Sequence, residues 1–224
     1  MAAPVLPPRL RDGDRLTRDE FLSRWEGMPD LKFAELIDGI VYMASPVSNT
    51  HCDYHFRLSY WLGSYIAATP GCKAGIAGTW LMSEDSAPQP DLALEIDPKF
   101  GGQSRIEGDY SAGAPELIVE VSHTTSPKDM GAKLRLYERS GVLEYVTVRP
   151  RQQQVVWREL IGARYRENAP DEDGRLRSRI FPGLWLDAAA LWACDLPALA
   201  ATVQQGIATS EHAEFVEQLA RSKR

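Results

Sequence analysis

The spacing of hydrophobic and polar positions in the first third of the chain predicts a helix, a hairpin and a second helix. Thr17 and Glu20 have the spacing of a capping box, which predicts a helix that ends near Gly27. The runs FAELI and IVYMA at 33–44 alternate as half-buried strands do, and Asp38-Gly39 between them is a strong signal for a tight turn. From residue 48 to 68 the apolar positions follow helical spacing, so we expect one long core helix there.

The middle of the chain contains the pattern expected of a parallel crossover. GIAGTWLM and DLALEI at 75–97 are strand candidates, and the Gly- and Ser-rich stretch 101–114 is expected to be a surface loop. The run ELIVEVS at 116–122 is apolar enough for a buried central strand. A helix from Ser126-Pro127 to about Gly141 and the strand LEYVTV at 143–148 follow it. Strand, helix and strand in this order predict two parallel neighbours.

These elements favour one α/β domain with a mixed sheet. The runs after Pro150 predict an antiparallel extension and a short further strand, and a final helix is expected to begin near Ser210. No internal repeat divides the chain. We therefore predict a loosely ordered N-terminal arm at 1–15, the main domain at 16–200 and a C-terminal helical segment at 201–224.

Composition argues against several classes of protein. No stretch is apolar for the 18 residues or more that a membrane span requires, and the N-terminus lacks the pattern of a secretory signal, so we expect a cytoplasmic protein that does not enter membranes. The three cysteines form no C-x-x-C pair, which argues against a disulfide framework or a zinc knuckle. A net charge of -6 counts against coating nucleic acid by bulk electrostatics.

Two acidic residues mark the ends of predicted strands and suggest a metal site. Asp91 opens one strand and Glu120 closes a later one, so the two carboxylates can meet at one end of a sheet. Carboxylates that lie close together repel each other unless a cation sits between them, and Mg²⁺ and Mn²⁺ prefer such hard oxygen ligands. A metal held in this way supports cleavage of a phosphodiester bond, and it also supplies local positive charge to an acidic protein.

Several motifs in order carry a resemblance to a known family. They are Glu35-Leu-Ile-Asp-Gly39, Pro90-Asp91, Glu120-x-Ser122, Asp129-x-x-x-Lys133, Gly141-Val-x-Glu144-Tyr145 and Phe181-Pro-Gly-Leu-Trp-Leu-Asp187. Together they resemble the bacterial Uma-two family of restriction-endonuclease-like proteins, over about residues 30–190. The resemblance implies the PD-(D/E)XK fold, which is a mixed sheet flanked by helices, here with an added antiparallel extension.

The resemblance also implies an activity and a set of residues for it. The expected activity is Mg²⁺- or Mn²⁺-dependent hydrolysis of nucleic acid, with DNA favoured over RNA. Asp91, Glu120 and Lys133 would be catalytic, and the metal would be held by Asp91, Glu120 and the carbonyl of Val121. Ser122 stands where the superfamily pattern has a lysine. We expect Lys133, on the next helix, to supply that charge.

Further residues are expected near this site. Glu35 is the candidate fourth member, and Asp129 can orient Lys133 through an i,i+4 pair. His51 is a candidate neighbour of the cleft. With His55 it could also hold zinc, but the sequence offers no third ligand, so a structural role is favoured for the pair. For His123, which follows the Glu120 strand, exposure in a loop is favoured over contact with substrate.

Two alternatives from other functional classes remain open. The chain could be a catalytically inactive module that retains the nuclease fold and binds nucleic acid or protein, as Ser122 and the acidic charge permit. It could instead be an interaction protein that forms a homodimer through its aromatic C-terminal region. The nuclease hypothesis makes a geometric prediction, namely that Glu35, Asp91, Glu120 and Lys133 converge around one cleft.

Overall fold

A computed structural model describes residues 7–122 and 127–223, without the side chains of 127–130. The helices in these ranges are α1 (Arg18–Glu26), α2 (Asn49–Ile66), α3 (Pro127–Ser140), α4 (Ala188–Ala193), α5 (Leu196–Ile207) and α6 (Ser210–Ser222). The strands are β1 (Ala34–Ile37), β2 (Ile40–Met43), β3 (Cys72–Ile76), β4 (Trp80–Leu81), β5 (Leu92–Ile96), β6 (Arg105–Glu107), β7 (Tyr110–Ala112), β8 (Leu117–Val121), β9 (Glu144–Arg149), β10 (Gln154–Ile161), β11 (Arg164–Asn168), β12 (Arg175–Arg177) and β13 (Trp185–Asp187). Short 3₁₀ turns lie at Pro98–Phe100 and Pro150–Gln152.

A six-stranded mixed sheet forms the centre of the fold, in the order β11-β10-β9-β8-β5-β3. Its β8 and β9 are parallel, and every other neighbouring pair in it is antiparallel. The predicted parallel crossover is thus confirmed, with α3 as its helix. Strand β8 is apolar on both faces because it lies inside the sheet, with helices packed over it.

The predicted hairpin is present as β1 and β2, and the N-terminal segment packs against it. Asp38 and Gly39 both have positive φ, at 52° and 74°, which a two-residue turn between twisted strands requires. The amide of Gly13 donates to the carbonyl of Val41, and Leu10 is buried in the core beneath the hairpin. The structure therefore differs from the expected loose arm over residues 7–15, while residues 1–6 lie outside the described part.

Helix α2 covers one face of the sheet and begins as predicted. The Ser48 side chain accepts a hydrogen bond from the amide of His51 and so caps the helix. Trp61 on α2 meets Trp157 on β10 edge to face, with ring centroids 5.9 Å apart. Both indole rings are fully buried, so Trp157 fills the core rather than an exposed surface.

Two segments differ from the sequence-based prediction. The expected loop at 101–114 contains the β6–β7 hairpin, which joins β4 in a small separate sheet. The expected boundary at residue 200 falls inside α5, whose Leu199 and Val203 are fully buried in the main core. The last helix does begin at Ser210.

No helix in the described ranges has both the length and the apolar character needed to cross a bilayer.

Candidate active site

The register of the central sheet places Asp91 and Glu120 on the same face. Leu92 pairs with Val119 between antiparallel β5 and β8, so the residue before β5 lies opposite Glu120. Directly opposed residues in an antiparallel pair point to the same side of the sheet. The Asp91 carboxylate is fixed there, because its Oδ2 accepts a hydrogen bond of 2.7 Å from the amide of Val121.

Lys133 joins the hairpin and α3 to this pair. Its Nζ lies 2.8 Å from Oε1 of Glu35 and 2.9 Å from Oε1 of Glu120. The hydroxyl of Tyr137, one helical turn further along α3, donates to the same Glu120 oxygen at 2.9 Å. The structure therefore brings Glu35, Glu120 and Lys133 into direct contact, with Asp91 beside them at the end of β8.

Burial and mutual charge perturb these groups in different directions. Burial raises the pKa of Glu120 to about 7, even though Lys133 opposes the rise, and the Asp91 and Glu35 charges add to it. For Lys133, burial opposes the charge, but Glu120 and Glu35 raise its pKa well above the usual value. Burial likewise opposes ionisation of Asp91, but the hydrogen bond and charge of His51 lower its pKa. The site thus combines Lys133, whose pKa is raised so that it stays protonated, with Glu120, whose pKa is raised to about 7.

Two adjoining cavities open onto these side chains. One, of about 480 Å³, is lined by Glu120, Ser122 and Lys133 together with Tyr145 and Thr147 from β9. The other, of about 310 Å³, is lined by residues of the hairpin and α2 and by Asp91. Glu35 and Lys133 line both, whereas Glu120 lines the larger and Asp91 the smaller, so the four predicted residues border two adjoining cavities.

The donor set in this cleft fits a divalent cation. Asp91 and Glu120 carry carboxylates at the same end of the sheet, and the backbone of Val121 contacts Asp91. Hard oxygen ligands of this kind suit Mg²⁺ or Mn²⁺. Burial raises the pKa of Glu120 although Lys133 lies beside it, and a bound cation would favour the charged carboxylate further.

His51 contacts the same group of residues from α2. Its Nε2 lies 3.2 Å from Oδ1 of Asp91, and it also forms a hydrogen bond with the backbone of Val121. Burial opposes its protonation, but the hydrogen bond to Asp91 is the largest influence and raises the pKa of His51. His55, four residues later, places Nε2 3.0 Å from the Asp91 carbonyl. The third potential ligand for the histidine pair, which the sequence did not reveal, is therefore Asp91.

Some predicted residues are placed and others fall outside the description. Ser122 lines the larger cavity, and its amide donates to the carbonyl of Val148. The Asp129 side chain and His123 lie outside the described part of the chain, so the predicted orienting role of Asp129 stays a prediction.

Two contacts at the site were not foreseen. Tyr137 was not among the predicted site residues, yet its i,i+4 spacing from Lys133 places both on one face of α3 and was a usable signal. The amide of Gln89 donates to Oε1 of Glu35 at 2.7 Å. No sequence signal for that backbone contact exists, because it depends on how the hairpin docks beside β5.

The mixed sheet, the parallel β8–α3–β9 crossover and the acidic pair at the strand ends define a restriction-endonuclease-like core. A model of the family Uma2, described as "Putative restriction endonuclease", matches residues 18–189, which is more than half of the chain. The chain belongs to this family. The resemblance to the Uma-two proteins inferred from the motifs is thereby confirmed.

A solved structure has the same fold. It is a crystal structure from Anabaena variabilis ATCC 29413, described as "a putative nuclease belonging to DUF820", with a TM-score of 0.61 and 15% sequence identity. The similarity covers 80% of this chain and 98% of that one. A search of curated proteins gives no match.

Proposed function

We propose that this protein is a Mg²⁺- or Mn²⁺-dependent endonuclease that hydrolyses phosphodiester bonds, with DNA as the favoured substrate. The observation that carries the proposal is the position of the Lys133 ammonium between Glu35 and Glu120, beside Asp91, in an open cleft. A cation and paired carboxylates in a cleft are the groups that phosphodiester hydrolysis requires. Family membership supports the same class of activity.

The carboxylates are assigned to the metal. Asp91 and Glu120, with the carbonyl of Val121, would hold it, and the Val121 amide keeps Asp91 in place through the 2.7 Å hydrogen bond. When bound, the metal polarises the phosphate and lowers the pKa of a coordinated water. Tyr137 donates to Glu120 and so fixes which oxygen faces Lys133.

Lys133 takes the role that the superfamily pattern gives to a lysine at the Ser122 position. Its ammonium would orient the attacking water and stabilise charge that develops on the phosphate. Glu35 contacts the ammonium at 2.8 Å and Glu120 contacts it at 2.9 Å, so the two carboxylates together restrict where the ammonium can lie. Glu35 is therefore assigned as a positioning residue for the lysine.

One arginine beside the cleft is a candidate for contact with a nucleic-acid backbone. Arg158 on β10 pairs with Tyr145 on β9 and therefore points to the same face. Its Nη1 donates to the Thr147 hydroxyl at 3.2 Å, and both Tyr145 and Thr147 line the larger cavity. Its Nη2 also lies 3.3 Å from Oε1 of Glu167, and the side chain is only 12% exposed, so a nucleic-acid backbone would have to compete with Glu167 for Arg158.

The test compares the native chain with Glu120→Gln and Lys133→Met on plasmid DNA, single-stranded DNA and RNA. Mg²⁺, Mn²⁺ and EDTA are used in parallel. Glu95→Gln is the matched control, since Glu95 is a buried carboxylate on β5 that hydrogen-bonds to Ser104 and does not line the cleft. Loss of an electrostatic group of this kind lowers the rate by about 10²- to 10³-fold.

The outcomes separate catalysis from its alternatives. Metal-dependent cleavage by the native chain and Glu95→Gln, with the stated loss in the two site variants, supports the proposal. Cleavage that persists in Glu120→Gln contradicts it and points to a contaminating nuclease. A specific observation, Ser122 in the lysine position, favours one second candidate, a non-catalytic module that binds nucleic acid. Binding of metal and nucleic acid by the native chain without cleavage of any substrate would favour that candidate.

A further inference from the structure

We infer that His51, His55 and Asp91 form a second metal centre on the α2 side of the cleft, which takes transition-metal ions in preference to Mg²⁺. The inference rests on the proposed function in one respect, because Asp91 serves both centres. The second centre would use imidazole nitrogens, whereas the centre proposed at Asp91 and Glu120 uses only oxygen ligands.

The geometry of α2 brings the two imidazoles together. His51 and His55 are one helical turn apart and therefore project from the same face, with ring centroids 5.7 Å apart. Both rings also reach Asp91, since His51 contacts its carboxylate and His55 contacts its carbonyl. One potential ligand atom from each residue lies within 4.8 Å of the others. Bonds of about 2.1 Å place tetrahedral ligand atoms roughly 3.4 Å apart, so small side-chain rotations suffice to close this set.

The two oxygens of Asp91 face different sides. Oδ2 accepts from the Val121 amide at the end of β8, whereas Oδ1 faces His51. A carboxylate oriented in this way can contribute to a centre on each side, one with Glu120 and one with the histidines. Both Asp91 and His51 keep 19% of their side-chain surface exposed, and both line the smaller cavity, which gives an ion a route of entry.

The ligand types decide which ions are expected. Imidazole nitrogen binds Zn²⁺, Co²⁺ and, more weakly, Mn²⁺, whereas Mg²⁺ prefers an all-oxygen shell that includes water. Three protein ligands with further positions open to solvent are typical of catalytic rather than structural metal sites. The α2 centre is therefore expected to bind Co²⁺ and Zn²⁺ much more tightly than Mg²⁺.

An exposed thiol beside the histidines needs its own control. Cys52 adjoins His51 and lines the same cavity, and a thiol is itself a good ligand for these ions. The variant Cys52→Ser removes that ligand and leaves both imidazoles. Co²⁺ binding is expected to be unchanged in it.

The experiment measures Co²⁺, Zn²⁺ and Mg²⁺ binding by calorimetry and follows Co²⁺ by its visible absorption, with all purification tags removed. The variants are His51→Ala, His55→Ala, Cys52→Ser and Glu120→Gln. His55→Gln is added, because its amide keeps a donor near the Asp91 carbonyl and protects against a simple folding defect. Removing a residue that hydrogen-bonds to a metal ligand typically weakens metal affinity by about 10- to 100-fold. Removing a direct ligand should weaken it at least as much.

The expected result is weaker Co²⁺ and Zn²⁺ binding in the three histidine variants. Mg²⁺ binding should be unchanged in His55→Gln, whereas His51→Ala removes a hydrogen-bond partner of Asp91 and should weaken it by no more than about 10- to 100-fold. Glu120→Gln should lose Mg²⁺ binding and keep the Co²⁺ that the histidines bind. Native Co²⁺ affinity in folded His51→Ala and His55→Gln, or its loss in Cys52→Ser, would overturn the inference. Failure of the nuclease proposal is seen separately, as absent DNA cleavage by a native chain that still binds Co²⁺ through the histidines.

Discussion

In metal-free protein, ionisation of Glu120 is expected to destabilise the fold as the pH rises. Burial raises the pKa of Glu120 to about 7 from the usual value of 4.5, which holds in the unfolded chain. Below 4.5 both states are protonated and no penalty exists. Between the two values the unfolded chain releases its proton first, so folding stability falls, and the loss is complete above 7. At about 1.4 kcal/mol for each pH unit, the total is about 3 kcal/mol.

Glu120→Gln isolates this contribution, because the amide stays neutral as the protonated acid does. The assay is urea unfolding of both proteins in EDTA at several values between pH 5 and 8. The native chain should lose about 2–3 kcal/mol more than the variant across this range, since a small part of the penalty is already present at pH 5. Titrating groups remote from Glu120 affect both proteins alike and cancel in the difference. His51 is the exception, because the Glu120 charge raises its pKa, and its altered titration is part of the measured difference.

Added Mn²⁺ distinguishes a metal-binding acid from a merely buried one. Binding to ionised Glu120 should restore stability to the native chain above pH 7. Glu120→Gln should gain much less, because only the weaker histidine centre can then bind Mn²⁺. Glu144 provides the control, because burial also raises its pKa to about 7, but its carboxylate is held by Ser178 and the amide of Arg179. Mn²⁺ should leave the stability difference between native and Glu144→Gln proteins unchanged. A native-minus-Glu120→Gln difference that does not vary with pH, or equal rescue of both proteins by Mn²⁺, would refute the reasoning.

Three further substitutions test contacts described above. Tyr137→Phe removes the hydroxyl that donates to Glu120 and should cost about 1–3 kcal/mol in urea unfolding at pH 8, with a smaller loss at pH 5. Ser178→Ala removes a donor from buried Glu144 and should cost about 1–3 kcal/mol by the same measurement, without changing metal affinity. Gly206→Ala would place Cβ 2.1 Å from the Gly183 carbonyl oxygen and should destabilise by about 1–3 kcal/mol in thermal melting. Gly63→Ala, where the new Cβ meets nothing within 4 Å, is its control and should stabilise by about 0.5–1 kcal/mol.

Elements with strong local signals were predictable from the sequence. The Asp38-Gly39 turn encodes the β1–β2 hairpin in two residues, because both must adopt positive φ. The β8–α3–β9 crossover followed from apolar runs on either side of a helix. In both cases the sequence signal lies within one short segment of the chain and does not depend on contacts with distant residues.

Elements stabilised by distant contacts were not predictable in the same way. Strands β6 and β7 are three residues each, and β6 is exposed throughout, so no apolar alternation marks them. Their hairpin forms because β7 pairs with distant β4. Helix α5 belongs to the main core since Gly206 packs directly on the backbone at Gly183, a contact that only the folded chain brings about.

The sequence indicated which residues lie at the candidate site, but it did not indicate how they contact one another. Asp91, Glu120, Glu35 and Lys133 were identified from motif order. That Asp91 lies opposite Glu120 depends on strand register, and a register change of one residue would place one of them on the other face. The approach of His55 to the Asp91 carbonyl depends on how α2 packs across the sheet, which explains why the histidine pair seemed to lack a third ligand.

Lys133 on α3 shows that an ammonium group can reach the same place in a site from a different position in the sequence. A lysine at residue 122 would share a face with Glu120, since alternate residues of a strand do. Lys133 reaches that same space from the helix, with its ammonium 2.9 Å from Glu120. The position of the Lys133 ammonium therefore depends on how α3 packs on the sheet, where Ala132 and Leu136 form a buried cluster with Ile118. The proposed mechanism needs an ammonium at one place in the cleft, and the packing of α3 puts the Lys133 ammonium there. Ser122 is then a small cavity-lining residue beside it.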